Sequence, residues 1–238
     1  MSPGTLDILC SPLEGAPLEL ATELSVDGEV RQFLVNHELG FRFPIRDGIP
    51  VFIEPHQITG INSRFRRIYD DWAPFYDLLS RVGLYIMGVS EYKLRREFIE
   101  KLEINGSNRV LATSVGTGSD LPFLPRHCDY YGLDLSAGML GICQKKMRKL
   151  GVTAELFLGQ AEHLPFKDET FDTVYQMGGS IFSATRSRPF ARWFASPGAA
   201  RKSSSWMKPK RSRASWSTFP ASMPGSGIST GRSFPPRG

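Results

Sequence analysis

The run VLATSVGTGSD, residues 110 to 120, is an apolar segment that breaks into a glycine-rich turn and closes on a carboxylate. Gly116 and Gly118 let the backbone turn sharply and approach a ligand closely, which suits a nucleotide-bearing compound. A strand ending in such a turn constrains the fold, and the following residues repeat the pattern. RVLAT, YYGLD, AELFL and FDTVYQM are four short β-rich runs. Between the second and third lies SAGMLGICQKKMRKL, in which Met139, Leu140, Cys143, Met147 and Leu150 form one apolar stripe behind Ser136, a well-placed N-cap. The alternation predicts βα units on a parallel sheet, an α/β fold.

A chain of 238 residues with 41% hydrophobic content has room for one large domain and a small companion. No run approaches the roughly 20 apolar residues of a membrane span, and MSPGTLDILC lacks the basic start and long apolar middle of a signal peptide. A cytoplasmic address is the expectation. Cys10, Cys128 and Cys143 form no paired spacing, so neither a disulfide framework nor a four-cysteine metal site is expected. The charge is split along the chain: 18 basic residues face 24 acidic ones up to Asp172, and 11 basic residues face none after it.

Four segments follow from these patterns. Residues 1–56 read as a small β-rich unit, with apolar runs on either side of Asp47-Gly48, a dipeptide suited to a tight turn. Residues 57–108 read as a helical lead-in, where Leu94, Phe98, Ile99 and Leu102 share one face of a helix that Asn105-Gly106 stops. Residues 109–182 hold the strand and loop repeats. Residues 183–238 form a basic segment that reads as a disordered tail.

The glycine loop fits some ligands and not others. A P-loop needs a lysine after its last glycine, and none follows Gly118. A dinucleotide fingerprint needs a third glycine, and Leu121 stands there, which disfavours a nicotinamide-dependent oxidoreductase. The second strand ends in Asp134, whose carboxylate can accept hydrogen bonds from both hydroxyls of a ribose. GQAEHLPFKDETFDTVY follows the third strand.

Taken together, the loop, GLDLSAGML and GQAEHLPFKDETFD resemble the class I S-adenosylmethionine-dependent methyltransferases, in the type 11-like group, over residues 109 to about 182. The resemblance implies a Rossmann-like parallel sheet, incomplete on its C-terminal side, and S-adenosylmethionine as cofactor. It implies that Gly116 and Gly118 pass the methionine portion, Asp134 holds the ribose, and Gln160 with Ala161 flanks the adenine. Thr117, Leu135 and Met139 complete the implied cofactor set. The acid usual at the end of the first strand is Ala112 here, and the first loop glycine is Ser114. His163 stands where the family varies, and reads as a loop residue. No catalytic base is nominated. The sulfonium makes its own methyl group electrophilic, so the protein's task is to align the partners and exclude water.

Two further segments carry resemblances. YDDWAPFYD, Tyr69 to Asp77, is similar to the helix preceding the catalytic domain of quinone-biosynthesis methyltransferases, which closes over the cofactor; plain core packing of its aromatics explains the spacing equally well. The first segment, with FPIRDGIP, resembles the small zinc-ribbon-like domain found fused to or partnered with methyltransferases. In that register the metal-ligand positions fall on Ser11, Glu14, Asn36 and Leu39, which cannot make a thiolate site, so no metal is expected. The acceptor expected by resemblance is a small molecule or a lipid of the quinone kind.

The basic tail admits two readings. ARKSSSWMKPKRSRASWS has lysines and arginines for phosphates and Trp206 and Trp216 for stacking on bases, which would suit a non-enzymatic nucleic-acid-binding protein. The favoured reading is that the chain from about Ser183 is translated out of frame. Trp206-Met207-Lys208 must be encoded TGG-ATG-AAR, and reading from the third base of the preceding codon gives Leu, Met or Val, then Asp, then Glu. With TCN serines the preceding hidden residues are also apolar, so the text resembles the strand and Asp-Glu that come next in the same family. The expected consequence is a sheet that stops after four strands with an unpaired edge and uncovered apolar faces, low solubility, and activity lost through truncation.

Overall fold

The structure is a computed structural model that describes residues 1–53 and 57–177. The expectations placed on residues 183–238 lie outside the described residues.

The chain opens with a short helix α1 (Pro3–Leu6) and a meander of strands β1 (Glu19–Leu24), β2 (Val30–Asn36), β3 (Phe41–Arg46) and β4 (Ile49–Pro50). These form one antiparallel sheet in the order β1-β2-β3-β4. Asp47 and Gly48, at φ 51° and 76°, make the tight β3–β4 turn; positive φ at both central positions matches the twist of the paired strands. At the four positions where a metal site was weighed, hydrogen bonds do the tying. Ser11 Oγ accepts from Ala16 N at 3.1 Å, Asn36 Nδ2 donates to Pro17 O at 2.9 Å, and Asn36 Oδ1 accepts from Leu39 N at 2.8 Å. Among the described residues no group of three or more His, Cys, Asp or Glu is placed to hold a metal ion.

Helices α2 (Gly60–Ile86) and α3 (Glu91–Lys101) follow, then β5 (Arg109–Ala112), β6 (Asp129–Asp134), α4 (Ala137–Leu150), β7 (Glu155–Leu158) and β8 (Thr173–Tyr175). The last four strands are parallel, in the order β7-β6-β5-β8. The chain runs outward from β5 to β7 and then returns to β5's other side, so the strand order reverses between β5 and β8. Crevices at such a reversal bind ligands.

Among the described residues only one crossover between the parallel strands carries a full helix. Ser136 caps α4 by accepting from Met139 N at 3.1 Å, and Gly151 ends it in the left-handed conformation at φ 63°. The β5–β6 connection makes only a 3-10 turn at Leu121–Phe123. Pro122 and Pro125 remove backbone donors there, so helix propagation fails. Among the described residues no α-helix follows Gly118 before β6.

Alternate residues of the parallel strands enter two cores. Val110, Ala112, Tyr130, Leu156, Leu158 and Tyr175 pack with Ile99, Leu140 and Cys143 of the helices. Leu111, Tyr131, Leu133 and Phe157 pack with Ile8, Leu9, Leu18, Leu34 and Phe52 of the N-terminal unit. The expectation of uncovered apolar faces is corrected here, because the small unit covers one face and helices cover the other. It also pairs with the sheet's margin: Phe52 N donates to Leu158 O at 2.8 Å, and Cys10 N to Pro165 O at 3.0 Å. The outer edge of β8 has no strand partner among the described residues.

Helix α2 is docked by its polar face. Asp70 accepts from Ser136 Oγ and from Gly138 N at 3.1 Å, seven residues before Asp77, which accepts from Thr117 Oγ1, from Ser119 Oγ at 3.1 Å and from Lys146 Nζ at 2.8 Å. Burial works to raise the Asp77 pKa, but the Lys146 ammonium and the two hydroxyls outweigh it and hold the carboxyl below its ordinary value. The helices touch at Gly138, where a Cβ would lie 3.1 Å from Asp70 O and 3.4 Å from Ala73 Cβ.

The shared core has a direct test. Leu34 belongs to the small unit and is 0% exposed, so Leu34→Ala should cost about 2–5 kcal/mol. The whole described body should then unfold in one transition at lower urea. Early melting of the first fifty or so residues, with the parallel sheet unmoved, would contradict a shared core.

Candidate cofactor cleft

A cleft of about 870 Å³, including its open mouth, lies at the C-terminal ends of β5, β6 and β8. Its floor is Thr113, Ser114 and Gly116, one wall is Asp134, Leu135, Ser136 and Met139, and another is Gly159, Gln160, Ala161 and Glu162. Asn62, Phe65, Arg66, Tyr69 and Tyr76 of α2 lie across it, and Gln176 and Met177 close the β8 side.

Asp134 ties the floor to the wall. Its Oδ2 accepts from Gly116 N at 2.7 Å and its Oδ1 from Ser136 N at 3.0 Å. Burial pushes its pKa up, the neighbouring Asp70 charge adds to this, and backbone N–H groups of Ser136, Gly116 and Leu135 work in the opposite direction. At the strand reversal Gln176 Nε2 donates to Ser114 Oγ at 3.1 Å. Tyr69 is pushed up to about 12 by burial, then by Tyr76 and Asp134, and Tyr76 is raised mainly by burial. Both phenols are therefore neutral near pH 7.

The two loop glycines do different work. Both have positive φ, 55° at Gly116 and 72° at Gly118. A Cβ on Gly116 would meet nothing within 4 Å, so its bare Cα leaves open space in the cleft. A Cβ on Gly118 would fall 2.7 Å from Cys143 Sγ and Leu121 Cδ1, so this glycine is needed for packing against α4. Of the residues singled out in the sequence, Gly116, Asp134, Leu135, Met139, Gln160 and Ala161 line the cleft, whereas Thr117 and Gly118 do not. Thr117 is buried with its hydroxyl turned to Asp77. His163 is exposed on a turn and does not reach the cleft.

Sequence reasoning missed Arg66; of the segment Tyr69 to Asp77, left open between core packing and closing over the cofactor, Tyr69 and Tyr76 line the cleft. Arg66 Nη1 pairs with Asp70 at 2.9 Å, while its Nε is buried without a hydrogen-bond partner. An orphaned donor in a cleft is a fit for an acceptor on a ligand. With the open Gly116, the Asp134 acceptor and the Gln160 amide, the donor set suits an adenosine joined to a zwitterionic amino acid.

Residues 110–195 match the family described as a methyltransferase domain, and residues 2–48 match the family of Trm112p-like proteins. A demethylmenaquinone methyltransferase of Thermotoga maritima is 36% identical over 112 residues, covering 45% of each chain. A phosphatidylethanolamine N-methyltransferase of Cereibacter sphaeroides is 34% identical over 113 residues, covering 47% of this chain and 51% of that one. Among solved structures, a S-adenosylmethionine-dependent methyltransferase from Clostridium acetobutylicum aligns with a TM-score of 0.40 at 21% identity, over 57% of this chain and 53% of that one. The chain spans about half the length of the curated relatives it matches.

The raised Asp134 pKa has a testable sign. A carboxyl whose folded pKa lies above its unfolded value contributes stability that is present at low pH and lost as pH rises through the folded pKa. Wild type should therefore gain stability relative to Asp134→Asn as pH falls from neutral toward the ordinary aspartate value of 3.8. Urea unfolding of both proteins across that range checks it; a gap that stays constant or moves the other way contradicts the assignment.

Proposed function

We propose that this chain binds S-adenosylmethionine in the cleft at the β5/β8 strand reversal and belongs to an enzyme that methylates a small lipophilic acceptor. The observation that carries the proposal is the Asp134 carboxylate, spanning Gly116 and Ser136 beside the open space over Gly116. When bound, S-adenosylmethionine supplies a methyl group already made electrophilic by its sulfonium.

The residues of this chain then bind and orient. Asp134 accepts from the ribose hydroxyls, and the Gln160 amide and Ala161 backbone meet the adenine edge. Gly116 lets the backbone pass close to the methionine portion, and Arg66 Nε supplies a donor to an anionic oxygen. Tyr69 and Tyr76 cover the cleft from α2 and exclude water, which keeps nucleophile, methyl and sulfur in line. The relatives named for demethylmenaquinone and phosphatidylethanolamine support a lipophilic acceptor, as do Phe65, Tyr69, Tyr76 and Met177 around the mouth.

A second part of the proposal concerns the residues beyond the description. The acid-free stretch after Asp172 and the hidden apolar-Asp-Glu text support a change of reading frame in the gene. The proposed change lies near codon 183, inside the methyltransferase-domain match over residues 110–195. The restored text would place a strand beside the open edge of β8. Resequencing the gene decides this: a one- or two-base change that restores a longer methyltransferase supports it, and a verified single frame refutes it.

Cofactor binding is tested by calorimetry with S-adenosylhomocysteine and, separately, nicotinamide dinucleotide. The first should bind and the second should not. Asp134→Ala removes two charge-assisted hydrogen bonds, each worth roughly 1.5–3 kcal/mol, so affinity should fall tenfold or considerably more. An unchanged dissociation constant in a folded variant would remove Asp134 from the site.

A further inference from the structure

Helix α2 holds the parallel sheet with its acids and turns its apolar residues outward. Trp72, Phe75, Leu78, Leu79, Val82 and Ile86 are 46–78% exposed. At 3.6 residues per turn they cover an arc of about 120°, wider than the narrow seam that pairs two helices in a coiled coil. On the N-terminal part of the same helix Arg64 and Arg67 are exposed, Arg81 is exposed on its flank, and Asp71 is the one exposed acid of α2. A broad apolar arc with aromatic members and an arginine-rich margin is the form of a helix that lies in a membrane interface and meets anionic headgroups.

We propose that the outer face of α2 docks on a lipid surface carrying anionic headgroups. The idea rests on the proposed lipophilic acceptor and extends it: Phe65, Tyr69 and Tyr76 of this same helix line the cleft. An acceptor whose tail stays among lipids then reaches the cleft along the flank of α2 without crossing water. The helix is the attachment surface, and no helix among the described residues is long and apolar enough to cross a membrane.

The test is flotation of the full chain with vesicles of phosphatidylcholine alone and of phosphatidylcholine mixed with phosphatidylglycerol, alongside S-adenosylhomocysteine calorimetry. Wild type should float with the anionic vesicles, less with the neutral ones, and less at high salt. Leu79→Glu and Ile86→Glu should each reduce partitioning about tenfold or more. Arg64→Ser with Arg67→Ser should reduce it on anionic vesicles only. All variants should keep wild-type affinity for S-adenosylhomocysteine, since none of these residues lines the cleft, and this also reports an intact fold. Wild type that ignores both vesicles, or glutamate variants that float as well as wild type, overturns the proposal. So does a dimer in sedimentation velocity that Leu79→Glu dissociates while vesicles are ignored, which would give the face to a second copy. Loss of S-adenosylhomocysteine binding by wild type strikes the cofactor reading instead and leaves the flotation result to stand or fall separately.

Discussion

The arrangement of the cleft depends on one carboxylate. Asp134 stands at the end of β6, the strand beside β5, and accepts from the glycine loop on one side and from the start of α4 on the other. Those two backbone donors fix where the loop leaves β5 and where α4 begins. The charge has a cost, because burial raises its pKa, and three peptide N–H groups, of Ser136, Gly116 and Leu135, offset part of it. A carboxylate held this way is oriented before any ligand arrives, which is what recognition of a ribose diol requires.

Around that centre the protein solves a covering problem in two unusual ways. Three of the described parallel strands alternate residues between two cores, yet only the β6–β7 crossover supplies a full helix. The small N-terminal unit covers the second face, inserting Leu9, Leu34 and Phe52 against Phe157 and Leu133. Helix α2 is fastened over the cleft by acids. Asp70 reaches the start of α4, and Asp77 reaches the glycine loop through Thr117 and Lys146. Closing the cleft and anchoring the loop are thus the same set of contacts, and the apolar side of α2 is left for other work.

Much of this could be read from the residues. The four parallel strands, the Ser136 cap and the Asp47-Gly48 turn follow from local chemistry, since period, capping and positive φ act within a few residues. The cleft residues Gly116, Asp134 and Gln160 were legible because each sits at a strand end. The failures are long-range or subtle. Thr117 and Gly118 share the motif with Gly116, but the side of the loop each faces is set by Asp77, Cys143 and Leu121 from elsewhere in the chain. Arg66 was hidden, and Tyr69 and Tyr76 stayed open between two readings, because helical spacing alone cannot tell a cleft-facing residue from a core-facing one. That a β-rich unit covers the sheet's second face left no periodic trace in either segment.

The most direct measurement of the central claim is amide hydrogen exchange of the full chain with and without S-adenosylhomocysteine. The account predicts added protection at Gly116, at Leu135 and Ser136, at Gln160 and Ala161, and along the cleft-facing turns of α2 from Asn62 to Tyr76, with β1 to β3 unchanged. Saturating ligand that leaves these amides exchanging at their free rates, or that protects only residues away from the strand reversal, would contradict it.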